Sequence, residues 1–133
     1  MLLTYKINKS AKDIFKYLSD MQQFESVHPI IYKIDKLAEN KFHFFEKLPF
    51  GFLSINNDYK VQIDADAARN TIKMYAFVKK LIHINLLFTI TEHNGYCIVN
   101  EEVNFKSILP LKAFLNPIFK KQHKLLFENM EKA

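Results

Sequence analysis

The sequence predicts one α+β domain over residues 1–133, in which a curved antiparallel β-sheet of about seven strands holds a long C-terminal helix, with two short helices after the first strand. Three observations predict this fold. From Ile30 to Phe105 apolar and polar residues alternate, which is typical of strands with one buried face. Short polar turns separate these strands, which favours antiparallel neighbours. Only Pro110 to Glu131 has a long helical periodicity.

The first 30 residues predict one strand and two short helices. Apolar and polar residues alternate over residues 3–7, which indicates a strand. Ser10 has an acidic residue three positions later, a spacing close to that of a capping box, so a helix is expected to begin there. Asp20 through Gln23 repeats this cap-like spacing and predicts a second short helix around Met21 to Ser26. His28-Pro29 should end it, because a residue before proline avoids helical dihedral angles.

Six further strands are predicted, each with an inward face of alternating residues. The Asn94-Gly95 turn between the last two strands is the strongest turn signal, because both residues tolerate the positive φ angles of a tight hairpin. One face of such a meander must be covered, and the C-terminal helix is the best candidate for the cover. The inward residues are Tyr32 and Ile34; Phe42, Phe44 and Leu48; Leu53, Ile55, Asn57, Tyr59, Val61 and Ile63; Ile72, Met74, Ala76 and Val78; Ile82, Ile84, Leu86, Phe88 and Ile90; and Cys97, Val99, Glu101, Val103 and Phe105.

The C-terminal helix is predicted to be amphipathic. Pro110 suits its first turn, and Pro117 should bend or interrupt it. Gln122 and Asn129 lie in the middle of its apolar face, where a tightly packed helix would carry apolar residues. That apolar face comprises Leu111, Leu115, Ile118, Leu125 and Leu126, flanked by Phe114, Phe119 and Met130.

Composition and charge exclude several classes of protein. The formal net charge of +5 comes from lysines spread over nearly every segment, with Arg69 as the only arginine, so we expect no nucleic-acid binding. One cysteine and no signal-peptide pattern predict a cytoplasmic protein. Leu81 to Ile90 is too short to span a membrane. We also expect no stable membrane contact, because the sheet should occupy the apolar face of the last helix.

No motif of a metal, cofactor or covalent-catalysis site is present. The five histidines are scattered without metal-ligand spacing, and there is neither a glycine-rich phosphate loop nor a nucleophile elbow. Cys97 lies on an apolar strand face and is expected to be a small buried hydrophobe. We therefore expect no metal, no cofactor and no catalytic residue of these kinds.

Several polar residues fall on faces that should point inward. An unpartnered buried polar group costs about 1–3 kcal/mol, so each needs a polar neighbour, water or a ligand, unless a register shift brings it to solvent. If they share a cavity, a few polar groups among apolar walls are the usual composition of a small-molecule site. The candidate cavity residues are Glu101, Gln122, Tyr59, Asn57, Glu46, Asn129, Phe88, Met74, Ile118 and His28.

The order of elements resembles that of the START-like superfamily, also called the SRPBCC or helix-grip group, which includes polyketide cyclases and Bet v 1-like ligand carriers. The resemblance is carried by a strand, the cap-led helix SAKDIFKYLSD, a short helix, His28-Pro29, six meander strands and the helix at Leu111 to Met130. It implies a sheet that grips the C-terminal helix with a hydrophobic cavity between them. Members include carriers of lipids, sterols or polyketides, aromatase/cyclases and coenzyme Q-binding proteins, and a shared fold does not choose among these functions.

Two functions are therefore expected for such a cavity. The favoured one is non-catalytic binding of a hydrophobic small molecule, such as a lipid, a quinone or a polyketide-like compound. The alternative is a cyclase or dehydratase in which Glu101, Tyr59 and His28 direct proton transfers. A third possibility is that phenylalanine side chains fill the cavity and the surface binds a partner. The sequence does not indicate an oligomeric state.

Overall fold

The computed structural model describes the backbone of all 133 residues and every side chain except that of Phe50. The elements follow the predicted order. They are β1 (Leu2–Ile7), α1 (Ala11–Ser19), α2 (Met21–Val27), β2 (Ile31–Ala38), β3 (Lys41–Phe50), β4 (Leu53–Asp66), β5 (Thr71–Val78), β6 (Ile82–His93), β7 (Tyr96–Ser107) and α3 (Lys112–Lys132).

The seven strands form one antiparallel sheet in the order β1-β7-β6-β5-β4-β3-β2. Consecutive strands from β2 to β7 are neighbours, and β1 joins the free edge of β7. The register aligns the predicted inward residues across strands: Glu101 lies opposite Phe88, and Asn57 lies opposite Glu46. The predicted curved sheet with a long C-terminal helix is therefore confirmed.

Side-chain caps define the two short helices. Ser10 Oγ accepts a hydrogen bond from the Asp13 backbone N–H at 3.2 Å, and Asp20 Oδ1 accepts from the N–H groups of Gln22 and Gln23. These bonds satisfy amide groups that have no partner within the helix. α2 ends at His28, as the His-Pro pair predicts.

Helix α3 differs from its prediction in two respects. It begins after Pro110 rather than at it, and Pro117 lies inside it without ending it. The side of α3 that is buried is also rotated about the helix axis from the predicted apolar face. As a result Leu125, which was expected to face inward, is 36% exposed. The physical reason is that only the second half of α3 packs on the core. The buried residues of α3 are Gln122, His123, Leu126, Phe127 and Met130.

One strand departs from its predicted inward face, and another keeps that face but leaves part of it uncovered. In β2 the pairing register shifts between Ile31 and Lys33, so Ile31 is buried and Tyr32 is 52% exposed. In β4 the predicted inward residues Leu53 and Ile55 are exposed, because they lie near the β3–β4 turn, beyond the buried core. Among the described residues, no helix is long and apolar enough to cross a bilayer.

The core fills one half of the space beneath the helices. There α1, α2 and the second half of α3 pack on the sheet through fully buried residues such as Ile14, Leu18 and Leu126. Tyr5 of β1 stacks on Phe127 of α3 with ring centroids 4.2 Å apart. The first half of α3 contributes none of these buried residues, and a pocket lies beneath it.

Candidate functional site

The pocket lies between α3 and the inner face of the sheet and has a volume of about 290 Å³. Its walls are mostly apolar, with polar groups from α2, β3, β4 and α3. A larger depression of about 550 Å³ lies on the outer face of the sheet. Exposed polar side chains such as Gln62, Lys73 and Glu102 line that depression, so it is part of the solvated surface. The apolar residues of the pocket beneath α3 include Leu48, Ile55, Ile82, Ile84, Ile118 and Phe119.

Glu46 is the buried carboxyl group of the pocket wall. Its oxygens accept hydrogen bonds from Asn57 Nδ2 at 3.0 Å and from the Tyr59 hydroxyl at 2.9 Å. The three side chains meet because Asn57 lies directly opposite Glu46 in the β3–β4 register and Tyr59 is two residues further along the same face. Burial raises the pKa of Glu46, although these hydrogen bonds and the nearby His123 oppose the rise. Burial and Glu46 raise the pKa of Tyr59, which therefore remains a donor.

Two buried amide oxygens in the pocket wall have no protein partner. Asn57 Oδ1 is left free because its Nδ2 donates to Glu46, and Gln122 Oε1 is also unpartnered. Unpaired acceptors of this kind are costly unless a donor from outside the protein reaches them. Together with Glu46 they make the polar part of the pocket rich in acceptors.

Glu101 is paired with a histidine that sequence reasoning missed. Glu101 is 0% exposed, and its Oε2 lies 2.6 Å from His123 Nδ1. The approach is short but not aligned as a hydrogen bond, and with a proton on the His123 ring it is a buried ion pair. The Tyr5 hydroxyl also faces this carboxyl group: burial, and then the charge of Glu101, raises its pKa. A signal was available, because His123 follows Gln122 on the amphipathic helix and a buried carboxylate needs a cationic partner.

His123 separates Glu101 from the pocket. Its ring stacks on Phe119 with centroids 3.8 Å apart and lies parallel to Phe88 at 6.3 Å. Because Nδ1 faces Glu101, Nε2 is the ring nitrogen that can face the pocket. His123 is therefore an oriented imidazole in the pocket wall, while Glu101 acts through it.

His28 is a neutral histidine in the same wall. Its Nδ1 accepts hydrogen bonds from the backbone N–H groups of Ile30 at 3.2 Å and Ile31 at 3.1 Å. Nδ1 can accept only when it carries no proton, so the ring proton is on Nε2. Burial, and then the nearby His123, lowers the pKa of His28 well below its usual value of 6.5.

This depressed pKa predicts a loss of stability in mild acid. An unfolded His28 takes up a proton near its ordinary pKa, about 6.5, whereas the folded one does not. The contribution of His28 is therefore fully present above about pH 6.5 and is lost as the pH falls towards the folded pKa. His28→Asn should reduce the slope of unfolding free energy against pH between about pH 5 and 7, because Asn can accept the same backbone bonds without titrating. Urea unfolding across this range measures the slope, and equal slopes would contradict the assignment.

The structure brings most of the predicted site residues together. His28, Glu46, Asn57, Tyr59, Ile118 and Gln122 line the pocket.

Four predicted site residues lie elsewhere. Met74 and Phe88 belong to the packed core, and Glu101 lies behind His123. Asn129 is exposed and donates through Nδ2 to the Val27 carbonyl oxygen at 2.9 Å, so it ties α3 to the end of α2.

The other chemically reactive groups do not form a recognisable centre. The described residues contain no group of three or more His, Cys, Asp or Glu side chains that could hold a metal ion. Cys97 is fully buried, and burial together with Glu92 raises the pKa of its thiol, so the unreactive protonated form is favoured.

Comparison with known proteins finds similarity in structure alone. No protein-family model and no curated protein sequence matches the chain. A START superfamily protein from Mycobacterium smegmatis superposes with a TM-score of 0.80 at 14% identity, covering 99% of this chain and 94% of that one. The Zhui aromatase/cyclase from Streptomyces sp. R1128 gives 0.75 at 10% identity, covering 99% and 90%. Major latex-like protein 151 from Panax ginseng gives 0.80 at 9% identity, covering 99% and 94%. The chain therefore shares their fold over nearly its whole length.

Proposed function

We propose that this chain, whose fold is the helix-grip fold of the START-like superfamily, binds a hydrophobic small molecule in the pocket beneath α3. The observation that carries the proposal is an apolar pocket of about 290 Å³ whose wall holds buried, unpartnered hydrogen-bond acceptors. This volume is at the lower end of the usual range for ligand pockets, roughly 300–1,000 Å³, so the ligand is small. Structural relatives whose names include aromatase/cyclases are consistent with such a pocket.

The polar groups of the pocket favour a ligand that donates a hydrogen bond. Asn57 Oδ1, Gln122 Oε1 and the Glu46 carboxyl group all offer acceptor atoms. A hydroxyl group on the ligand can donate to one of them and can also accept from the ring N–H groups of His28 or His123. A carboxylate could accept from those groups or pair with Lys79, but it would place a second negative charge beside Glu46 and leave the acceptors unpaired. The ligand is thus a mostly apolar molecule with a hydroxyl or similar donor at one end, which we expect to bind more tightly than a carboxylate of the same length.

A pair of probes of equal chain length tests this preference. The protein should bind 1-decanol at least about tenfold more tightly than decanoate, a difference of about 1.4 kcal/mol. Glu46→Gln should narrow the difference, because the glutamine amide can donate to a carboxylate and carries no charge. Asp58→Asn removes an exposed carboxylate from the same hairpin and should leave the ratio unchanged. Displacement of a fluorescent apolar dye at pH 7 measures both affinities, and tighter binding of decanoate would contradict the proposal.

A second function is favoured by one specific observation, the oriented His123. An imidazole held by a buried carboxylate beside an apolar pocket is the arrangement of a general acid–base group and its orienting partner, and the imidazolium of the ion pair would act as a general acid through its Nε2–H. The pocket would then carry out proton transfer on its ligand, with His123 rather than Glu101 as the reacting group. Recovery of a bound ligand chemically unchanged after prolonged incubation favours binding over this function.

A further inference from the structure

The turns at one end of the sheet form an exposed surface at the edge of the pocket. Because neighbouring strands are antiparallel, the β3–β4 turn, the β5–β6 turn and the connection from β7 to α3 all lie at the same end. Leu48 and Val78, which lie at this end of their strands, and Lys79 in the β5–β6 turn also line the pocket. We call these three segments, residues 50–53, 79–82 and 107–112, the pocket end.

The pocket end carries large apolar side chains in full contact with solvent. Phe52 is 98% exposed at the tip of the β3–β4 turn, and Ile108 is 85% exposed in the connection to α3. Leu53, Leu81 and Leu109 are exposed beside them. Single exposed apolar residues are common, but a group on neighbouring turn tips marks an interaction surface.

The charged side chains of the pocket end are all positive. Residues 50–53, 79–82 and 107–112 contain Lys79, Lys80 and Lys112 and no aspartate or glutamate, and Lys106 directly precedes the last of these segments. Among the described side chains, Lys79, Lys80, Lys106 and Lys112 form no ion pair with a carboxylate. Acidic residues such as Glu39, Asp66 and Glu92 lie instead beside the turns at the opposite end of the sheet.

The β5–β6 turn keeps its lysines in an unfavourable backbone conformation. Lys79 and Lys80 have φ angles of 56° and 57°. Turns of this kind favour Asn and Gly, because a side chain on Cβ is strained at positive φ. The turn itself therefore does not explain why both positions are lysine. The positive charge of the two side chains does match the positive charge of the pocket end.

We propose that the pocket end docks on the surface of a bilayer that contains anionic lipids, with Phe52 and Ile108 inserted between headgroups and the lysines contacting phosphates. Apolar tips surrounded by unpaired lysines complement both the hydrocarbon boundary and the negative surface of such a bilayer. Docking in this orientation places the pocket against the membrane, so an apolar ligand would pass between them without crossing water. The sequence-based expectation of no stable membrane contact rested on the apolar face of α3 and not on the turns of the pocket end.

Vesicle binding by the purified full chain tests the proposal. The wild type should float with vesicles of phosphatidylcholine containing about 30 mol% phosphatidylglycerol and not with phosphatidylcholine alone, and added salt should weaken the binding. Phe52→Ser/Ile108→Ser should reduce the bound fraction at least about tenfold at equal lipid, since both side chains are exposed and their loss leaves the fold intact. Lys79→Asn/Lys80→Gly should also reduce it and should weaken its dependence on salt.

Two control variants distinguish docking through the pocket end from nonspecific adsorption to lipid. Lys60→Gln/Lys73→Gln removes two exposed charges from the outer sheet face, and Tyr32→Ser/Leu37→Ser removes two exposed apolar side chains from β2. Both should bind vesicles as the wild type does. No binding of the wild type to anionic vesicles, or unchanged binding by Phe52→Ser/Ile108→Ser, would overturn the proposal. Ile118→Trp, which fills the pocket, should still dock, so failure of ligand binding and failure of docking are distinguishable.

Discussion

Replacing His123 by leucine should destabilise the protein by about 3–5 kcal/mol, because the change leaves the Glu101 carboxylate buried without its ion-pair partner. Glu101 is completely buried, and the structure offers its charge no route to water. The double variant Glu101→Leu/His123→Leu should recover most of this loss, since apolar residues of similar volume replace a buried pair at little cost. Urea unfolding of the two single variants and the double variant gives the coupling energy directly.

A second histidine–carboxylate pair provides the control. His43 Nε2 lies 2.8 Å from Asp58 Oδ2 on the partly exposed surface of the β3–β4 hairpin. His43→Leu should change the unfolding free energy by less than about 1 kcal/mol, because water screens the charge that remains. Equal effects of His123→Leu and His43→Leu would show that the Glu101–His123 contact does not act as a buried ion pair.

Filling the pocket should abolish ligand binding. Ile118 lies on the first half of α3 and lines the pocket, so the indole of Ile118→Trp would occupy the space that the ligand needs. We expect the affinity for 1-decanol to fall by at least about 100-fold, or about 2.7 kcal/mol. Isothermal titration at one temperature measures the change.

The matched control for this variant lies two turns further along the same helix, outside the pocket. Leu125 is exposed, and Leu125→Trp adds the same ring without entering the pocket. It should bind 1-decanol as the wild type does. Retained binding by Ile118→Trp, with its fold intact by circular dichroism, would place the ligand elsewhere on the protein.

The sheet was predictable because its inward-facing residues occur at every second position and because polar turns clearly mark the ends of the strands. The alternation from Ile72 to Val78 and from Cys97 to Phe105 is confirmed by the burial of those faces. The exception, Tyr32, shows the limit of this reasoning. A bulge adds a residue to one strand and reverses the faces, and no turn residue marks it in the sequence.

The candidate site was predictable only in part. The strand pattern indicates which single polar side chains are buried, whereas the partner of each side chain depends on residues that are distant in the sequence. The inward positions of Glu46, Asn57 and Tyr59 follow from the strand pattern, and their mutual hydrogen bonds follow from register. The pairing of Glu101 with His123 does not follow from the strand pattern. His123 lies on α3, and the rotation of that helix about its own axis depends on packing. The same rotation exposes Asn129, which then bonds to the end of α2 instead of facing the pocket.

The central claim is that the pocket beneath α3 holds an apolar ligand by a donor group at its polar wall. A crystal structure of the wild-type protein grown with 1-decanol tests it most directly. We expect density for the alkyl chain among Ile82, Ile84 and Ile118, with the hydroxyl oxygen within about 3.2 Å of Glu46, Asn57 Oδ1 or Gln122 Oε1. Decanol bound only on the outer face of the sheet, with the pocket collapsed or filled by side chains, would contradict it.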